Sequence, residues 1–316
     1  QKKGVSLPRV SVDLPAITDK DLKDIEFAVK AEVDYLAISF VRRAEHIKQV
    51  REIVAQYDSD IDLIAKIESQ EAIEHLDEII AEADAVMVAR GDLGVEIPAE
   101  TVPIVQREII EKCNAAGKPV ITATQMLESM KKSPRPTRAE VTDVAHAILD
   151  GTDAIMLSGE TAVGESPVDA VKVMNKTAMV IEQSISIDSR GCNNTGTSVA
   201  DAISRATVQS ANELGLLAIV TSTQSGSTAK KVAKFRPKAL VLAATPSDKV
   251  MRKLSLVWGV KPLLVPKTAD IDSMIDVSIE AARASGIIRE GDLVAITAGV
   301  KTDIPGSTNL LQIYKV

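Results

Sequence analysis

Residues 62–94 read DLIAKIESQEAIEHLDEIIAEADAVMVARGDLG, and their pattern sets the fold class. An aliphatic run (62–67) ends in Lys66-Ile67-Glu68-Ser69. A charged, helix-periodic stretch (70–81) follows. A second apolar run (85–89) then ends in Arg90-Gly91-Asp92-Leu93-Gly94. Strands that are apolar throughout, with helices between them, describe β/α units of a parallel sheet buried on both faces.

The same alternation extends to both sides. Further apolar runs occupy 33–40, 119–124 and 154–157, and helix-periodic stretches occupy 44–57, 102–116 and 138–149. In 44–57 the residues Ile47, Val50, Ile53 and Val54 recur at helical spacing. Five β/α units in series are expected, with 168–181 as the last helix. Upstream, 4–17 holds Pro8 and Pro15 and reads as an extended connection. Thr18, followed by Asp19 and Asp21, marks a helix start. Downstream, 184–196 (SISIDSRGCNNTG) reads as a linker. A second α/β segment follows, with strands at 217–222, 239–244, 262–265, 293–297 and 311–316. Helices at 199–214, 228–235, 250–257 and 271–284 separate them. That pattern describes a compact doubly wound sheet.

The 316 residues allow one large or two medium domains. Hydrophobic residues make up 45% and aromatics only 2%, so the cores are built from Val, Ile, Leu, Ala and Met. A net charge of -7 argues against nucleic acid as a partner, because phosphate binding needs a basic face. It leaves room for a local anion site. Cys113 and Cys192 show no metal-type spacing and read as inert thiols of a reducing cytoplasm. His46, His75 and His146 all fall on expected helices away from the polar strand ends, which leaves a serine–histidine hydrolase unsupported. Neither a membrane span nor a signal peptide is legible. The chain opens on Gln1 rather than Met, which reads as a processed or trimmed start.

All five apolar runs of the first half end in polar residues. Parallel strands of a barrel direct their carboxyl ends to one opening, where active sites are built. Ser39 stands before Phe40, Lys66 and Glu68 close the second run, and Gly91 and Asp92 follow the third. Thr124 closes the fourth and Ser158 follows the fifth. Glu68 and Asp92 offer carboxylates from neighbouring strand ends, a donor set that suits Mg²⁺. Either acid could equally be a helix cap or a surface charge. Lys66 can neutralise a developing enolate or phosphoryl charge, or snorkel from a strand end. The glycines flanking Asp92 leave backbone N–H groups open to an anion, or form a plain tight turn. The Thr124 hydroxyl can bind substrate or relay a proton.

Taken together, 64–69 (IAKIES), 87–96 (MVARGDLGVE), 119–130 (PVITATQMLESM), 134–141 (PRPTRAEV) and 155–162 (IMLSGETA) resemble the pyruvate kinase family of bacterial type, in its order and spacing. Residues 2–15 (KKGVSLPRVSVDLP) resemble that family's return from its lid domain. The likeness continues through 223–229 (TQSGSTA), Phe235-Arg236-Pro237, Trp258-Gly259-Val260 and 296–300 (ITAGV). His146 departs from the family, which usually has asparagine there.

The resemblance implies a connecting segment (1–17), a partial (β/α) TIM-type barrel of the family's last five strands (18–183), a linker (184–196) and a C-terminal doubly wound α/β regulatory domain (197–316). It implies phosphoryl transfer from phosphoenolpyruvate to ADP in the cytoplasm, giving pyruvate and ATP. Glu68 and Asp92 are then the Mg²⁺ ligands, with Mn²⁺ as a substitute, and Lys66 stabilises enolate and phosphoryl charge. Gly91, Asp92 and Thr124 bind the substrate carboxylate. Thr124 also serves enolate protonation, and Ser39 and Ser158 sit at the rim. Thr223, Gln224, Ser225, Gly226, Ser227 and Thr228 resemble a loop for a phosphorylated effector; a Ser/Thr-rich helix cap is the plainer reading. A homo-oligomer is expected.

The family's first three barrel strands and its lid have no counterpart in the sequence. With them go the K⁺ ligands, a phosphate-gripping arginine and much of the nucleotide contact. The isolated chain is therefore expected to be nearly inert. The alternative is a non-catalytic regulatory or interaction protein that keeps a Mg²⁺/pyruvate-type anion site. A Mg²⁺-enolate aldolase or lyase ranks last, because it leaves the second domain unexplained. Open strands at 33–40 and 154–157 would need covering, and 4–12 could supply a strand.

Overall fold

Lys66 and Glu68 owe their placement to the pleat of one strand. In the computed structural model, which describes residues 17–185, 198–299 and 308–316, that strand is the second of five in a parallel sheet. Leu63, Ala65 and Ile67 pack with helix residues such as Ile47, Val50, Ile79 and Ile109. Alternation along the strand turns Lys66 to the opposite face.

The chain divides after Ile185 into two compact units. The first begins with α1 (Asp19–Lys30), β1 (Tyr35–Ile38), α2 (Ala44–Ala55), β2 (Asp62–Ile67), α3 (Gln70–Glu74) and α4 (Leu76–Glu82). It continues with β3 (Ala85–Ala89), α5 (Arg90–Glu96), α6 (Val102–Ala116), β4 (Val120–Ala123), α7 (Arg138–Asp150), β5 (Ala154–Met156), α8 (Gly159–Ala162) and α9 (Pro167–Ser184). The strands lie in sequence order, β1 to β5, all parallel. Such an arc is the expected partial barrel.

Local chemistry sets the helix ends. Thr18 and Thr137 form capping boxes with Asp21 and Glu140. α6 carries Pro103 in its first turn and stops at Gly117, whose φ of +69° suits a residue without Cβ. Its Ile109, Ile110 and Cys113 are fully buried, each such aliphatic side chain contributing roughly 1.5–3 kcal/mol. A second cluster joins Met126, Leu127 and Met130, after β4, to α7 and α9.

Two expectations need correction here. The single helix over 70–81 is broken at His75 (φ −106°, ψ 19°), although neither glycine nor proline marks the place. His75 therefore sits between α3 and α4, whereas His46 and His146 lie on α2 and α7 as expected. The edge strands β1 and β5 are only partly buried, while β3 and β4 are buried throughout. Among the described residues each edge strand pairs with one neighbour. The segment 4–12 lies outside the described residues.

The second unit comprises α10 (Val199–Glu213), β6 (Ala218–Ser222), α11 (Ser227–Ala233), β7 (Leu240–Thr245), α12 (Asp248–Leu254), β8 (Val260–Leu264), α13 (Ile271–Ala284), β9 (Leu293–Gly299) and β10 (Thr308–Lys315). Its sheet order is β10-β9-β6-β7-β8. Ile219, Val241, Ala243 and Ala295 face α10, α11 and α12, whereas Ala218, Val220, Leu242 and Ile296 face α13. Both faces are covered, as a doubly wound sheet requires. β10 is antiparallel to β9. Only residues 300–307 lie between the two, fewer than the roughly dozen that a parallel crossover takes.

Candidate active site at the strand ends

Lys66 Nζ donates to Ser39 Oγ (2.8 Å) and lies 2.6 Å from Glu68 Oε1. Glu68 is 2% exposed, and its Oε2 accepts the Phe40 N–H at 2.6 Å. Phe40 has φ +54°, a left-handed conformation that costs a non-glycine residue roughly 1–2 kcal/mol. The carboxylate of Glu68 thus fixes the turn after β1, and Lys66 bridges it to Ser39. Glu68 Oε1 is buried and makes its close approach to Lys66 without hydrogen-bond geometry.

A second group forms where β3 and β4 end. Thr124 Oγ1 accepts the Gly91 N–H at 2.9 Å. Thr124 and Gln125 are both left-handed, with φ +68° and +54°. Arg90, 8% exposed, holds that turn. Its Nη2 donates to Thr124 O and its Nη1 to Asp143 Oδ1, both at 2.6 Å. Longer contacts of 3.4 Å reach Ala123 O and Gln106 Oε1. A Cβ on Gly91 would lie 3.3 Å from Thr124 Oγ1, so glycine permits the close approach.

The third group surrounds β5. Glu160 is 1% exposed; its Oε2 accepts the Ser158 N–H (2.9 Å) and its Oε1 the Leu127 N–H (3.0 Å).

Ser39, Lys66 and Glu68 are thus joined by direct contacts, as are Gly91 and Thr124. Asp92 is exposed on α5, and among the described residues no hydrogen bond or ion pair joins it to Glu68. Arg90 and Glu160 were not singled out from sequence. Their signal was present in the strand-end motifs, but reading it required knowing which loops they span.

Among the described residues no group of three or more His, Cys, Asp or Glu is placed to hold a metal by itself. Two hard oxygen donors, with substrate and water supplying the rest, suit Mg²⁺. The buried Glu68 Oε1, without a hydrogen bond, fits that role.

Elsewhere in this unit, burial pushes the Cys113 thiol up from its ordinary value, which keeps it protonated and inert. Cys192 lies outside the described residues.

In the second unit, residues 223–226 connect β6 to α11, whose first residues are Ser227 and Thr228. Gly226 there has φ +82°. Gln224 and Ser225 are exposed, while Thr223 and Thr228 are buried. The Thr228 and Thr308 hydroxyls lie 2.8 Å apart. Thr221 Oγ1, at the end of β6, is buried without a hydrogen-bond partner. Among the described residues no helix is long and apolar enough to cross a membrane.

A run of parallel β/α units with lysine, carboxylate and threonine at the carboxyl strand ends places the first unit in the class of β/α-barrel domains. Residues 1–171 match the model of the pyruvate kinase barrel domain, and 201–314 that of the pyruvate kinase alpha/beta domain. The chain belongs to the pyruvate kinase family. It is 51% identical to a pyruvate kinase of Geobacillus stearothermophilus over 319 residues, covering 100% of this chain and 54% of that relative. It is 48% identical to one of Clostridium acetobutylicum, covering 99% of this chain and 67% of the relative. A Staphylococcus epidermidis pyruvate kinase is 47% identical, with 100% and 54% covered. The chain spans about half the length of most of these curated relatives.

Proposed function

We propose that these residues form one wall of the active site of pyruvate kinase, which transfers the phosphoryl group of phosphoenolpyruvate to ADP. The observation that carries this reading is the linked set Ser39–Lys66–Glu68, at the ends of strands adjacent to those that bring Thr124 onto Gly91. In the reaction the bond between phosphorus and the enol oxygen breaks, and a new one forms to a terminal oxygen of ADP. The enolate left behind takes a proton at carbon. Lys66 is placed to stabilise negative charge on the enolate and the transferring group. The Thr124 hydroxyl accepts from Gly91 N–H, which leaves its own proton free to donate outward, towards the enolate or a water. Gly91 and Asp92 would line the seat of the substrate carboxylate, with Ser39 and Ser158 at its rim.

Glu68 and Asp92 would hold Mg²⁺, or Mn²⁺ in its place. When bound, such an ion neutralises charge on the phosphoryl and enolate oxygens. K⁺ is expected for the full enzyme, with its ligands outside this sequence. We further infer that Thr223–Thr228 receives a phosphorylated effector, which the left-handed Gly226 and the exposed Gln224 and Ser225 support. A cytoplasmic homo-oligomer remains the expected state. Exposed Val168, Val171, Met179 and Val180 on α9 support a covered face in the whole assembly.

The test is ATP formation from phosphoenolpyruvate and ADP. We expect turnover from the whole polypeptide carrying these residues, loss of at least about a hundredfold in its Lys66→Met variant, and almost none from the 316-residue chain alone. Absence of turnover by the whole polypeptide would sink the reading. Brisk turnover by the short chain would sink the claim that the opposite wall is indispensable.

A further inference from the structure

Glu160 is a buried carboxylate that forms no ion pair with a cation among the described residues. Desolvating a carboxylate is costly unless each oxygen is satisfied. Here the two oxygens accept backbone N–H groups from two different strand-end connections, Leu127 after β4 and Ser158 after β5. The seat is tightly built. A Cβ on Gly164 would run into the backbone carbonyl of Glu160 itself. The Glu165 N–H also donates to Lys131 O at 3.0 Å. Leu127 lies only two residues beyond the left-handed pair Thr124–Gln125. Arg90 holds that pair from its other side, through the carbonyls of Ala123 and Thr124.

We propose that Glu160 is a positioning residue of the candidate active site. It fixes the backbone of Ser158 directly. Through Leu127 it fixes the turn that aims the Thr124 hydroxyl. The inference rests on the functional reading above, and assigns to that site a group that would not touch substrate. A carboxylate is required because both contacts are donated to it. Glutamine offers one acceptor oxygen and turns an NH₂ towards the second N–H, donor against donor.

The test uses the whole polypeptide carrying Glu160→Gln and follows two reactions. One is overall phosphoryl transfer, and the other is exchange of pyruvate methyl protons with deuterated water, which reads proton delivery at carbon alone. We expect kcat to fall about tenfold to a hundredfold, the scale of a misplacement near 1 Å, with proton exchange falling further than phosphoryl transfer. A purely structural role would lower both equally through the folded fraction, so an unchanged ratio overturns the proposal, as does an unchanged kcat. Should the glutamine variant fail to fold, Glu160→Asp keeps the charge, draws it back by one methylene and is read in the same assays. Hydrogen exchange on the unsubstituted protein separates this proposal from the functional reading. The Leu127 and Ser158 amides should exchange at least about a hundredfold slower than free amides. Free exchange there overturns the role of Glu160 whatever the activity. Protected amides in a protein without turnover overturn the functional reading and confine Glu160 to bracing the two loops.

Discussion

Replacing Arg90 with methionine tests how the Thr124 turn is held. The substitution keeps most of the side-chain volume and removes the guanidinium, which makes two 2.6 Å contacts, one to Asp143 Oδ1 and one to Thr124 O. Breaking a fully buried ion pair costs about 3–5 kcal/mol. The Asp143 side chain is 36% exposed, so water offsets part of the loss and about 2 kcal/mol remains. Loss of a charged donor to the Thr124 carbonyl adds about 1.5 kcal/mol. The expected cost is therefore about 3.5 kcal/mol, or a fall of about 7–14 °C in the melting temperature of the barrel unit. Arg90→Lys should cost about half as much, because one ammonium cannot serve two acceptors in a fixed fork. Circular dichroism melts and urea titrations of the 316-residue chain measure both variants. A methionine variant within about 2 °C of the parent would refute the claim that the guanidinium holds the turn.

Four other outcomes are expected. Lys66→Met leaves Glu68 buried without its cation and should cost about 3 kcal/mol; adding Glu68→Gln should recover at least about 1 kcal/mol, a coupling read by a double-mutant cycle in urea. Gly151→Ala forces a side chain into φ +99° and sets its Cβ 2.9 Å from Asn114 Nδ2, so calorimetry should show a loss of about 1–2 kcal/mol. Thr137→Ala removes one side of the capping box of α7 and should cost about 1 kcal/mol by the same measurement. Burial raises the pKa of Asp201, but hydrogen bonds from Lys234 and Ser198 outweigh it and hold the group down at about 2. Its folded value lies below its unfolded one, so its contribution is present above about pH 4 and is lost as pH falls towards 2. Asp201→Asn should cost about 1–2 kcal/mol at neutral pH, and the difference should vanish in the acid range.

The parallel sheet of the first unit was legible because its strands are apolar on both faces while its helices alternate. Residues 85–89, apolar at every position, could not have served as a half-exposed strand. The break at His75 was not legible, since the apolar positions Ile73, Leu76, Ile79 and Ile80 suit one continuous helix equally well. The direction of β10 was concealed differently. Residues 311–316 have the composition of a strand in either sense, and only the short span 300–307 argues for a return beside β9.

At the site, legibility divides by what a residue does. Lys66, Glu68, Gly91 and Thr124 stand out because strand ends expose chemistry, and adjacency in the sheet follows from chain order in a parallel arc. Arg90 and Glu160 stand beside those residues, yet their meaning depends on contacts 33 to 53 positions away in sequence. Spacing carries no information about such contacts. The physical consequence is a rim with strained backbone at and beside its reactive groups: Phe40, Thr124 and Gln125 all occupy left-handed conformations. Strain of this kind persists only where surrounding groups over-determine it. Here a buried carboxylate holds the first turn, and a guanidinium and a second carboxylate hold the other. The charged groups that position the rim are therefore as necessary to its geometry as those that face the opening. Substitutions at Arg90 or Glu160 should consequently impair the site while leaving all of the residues that face it in place.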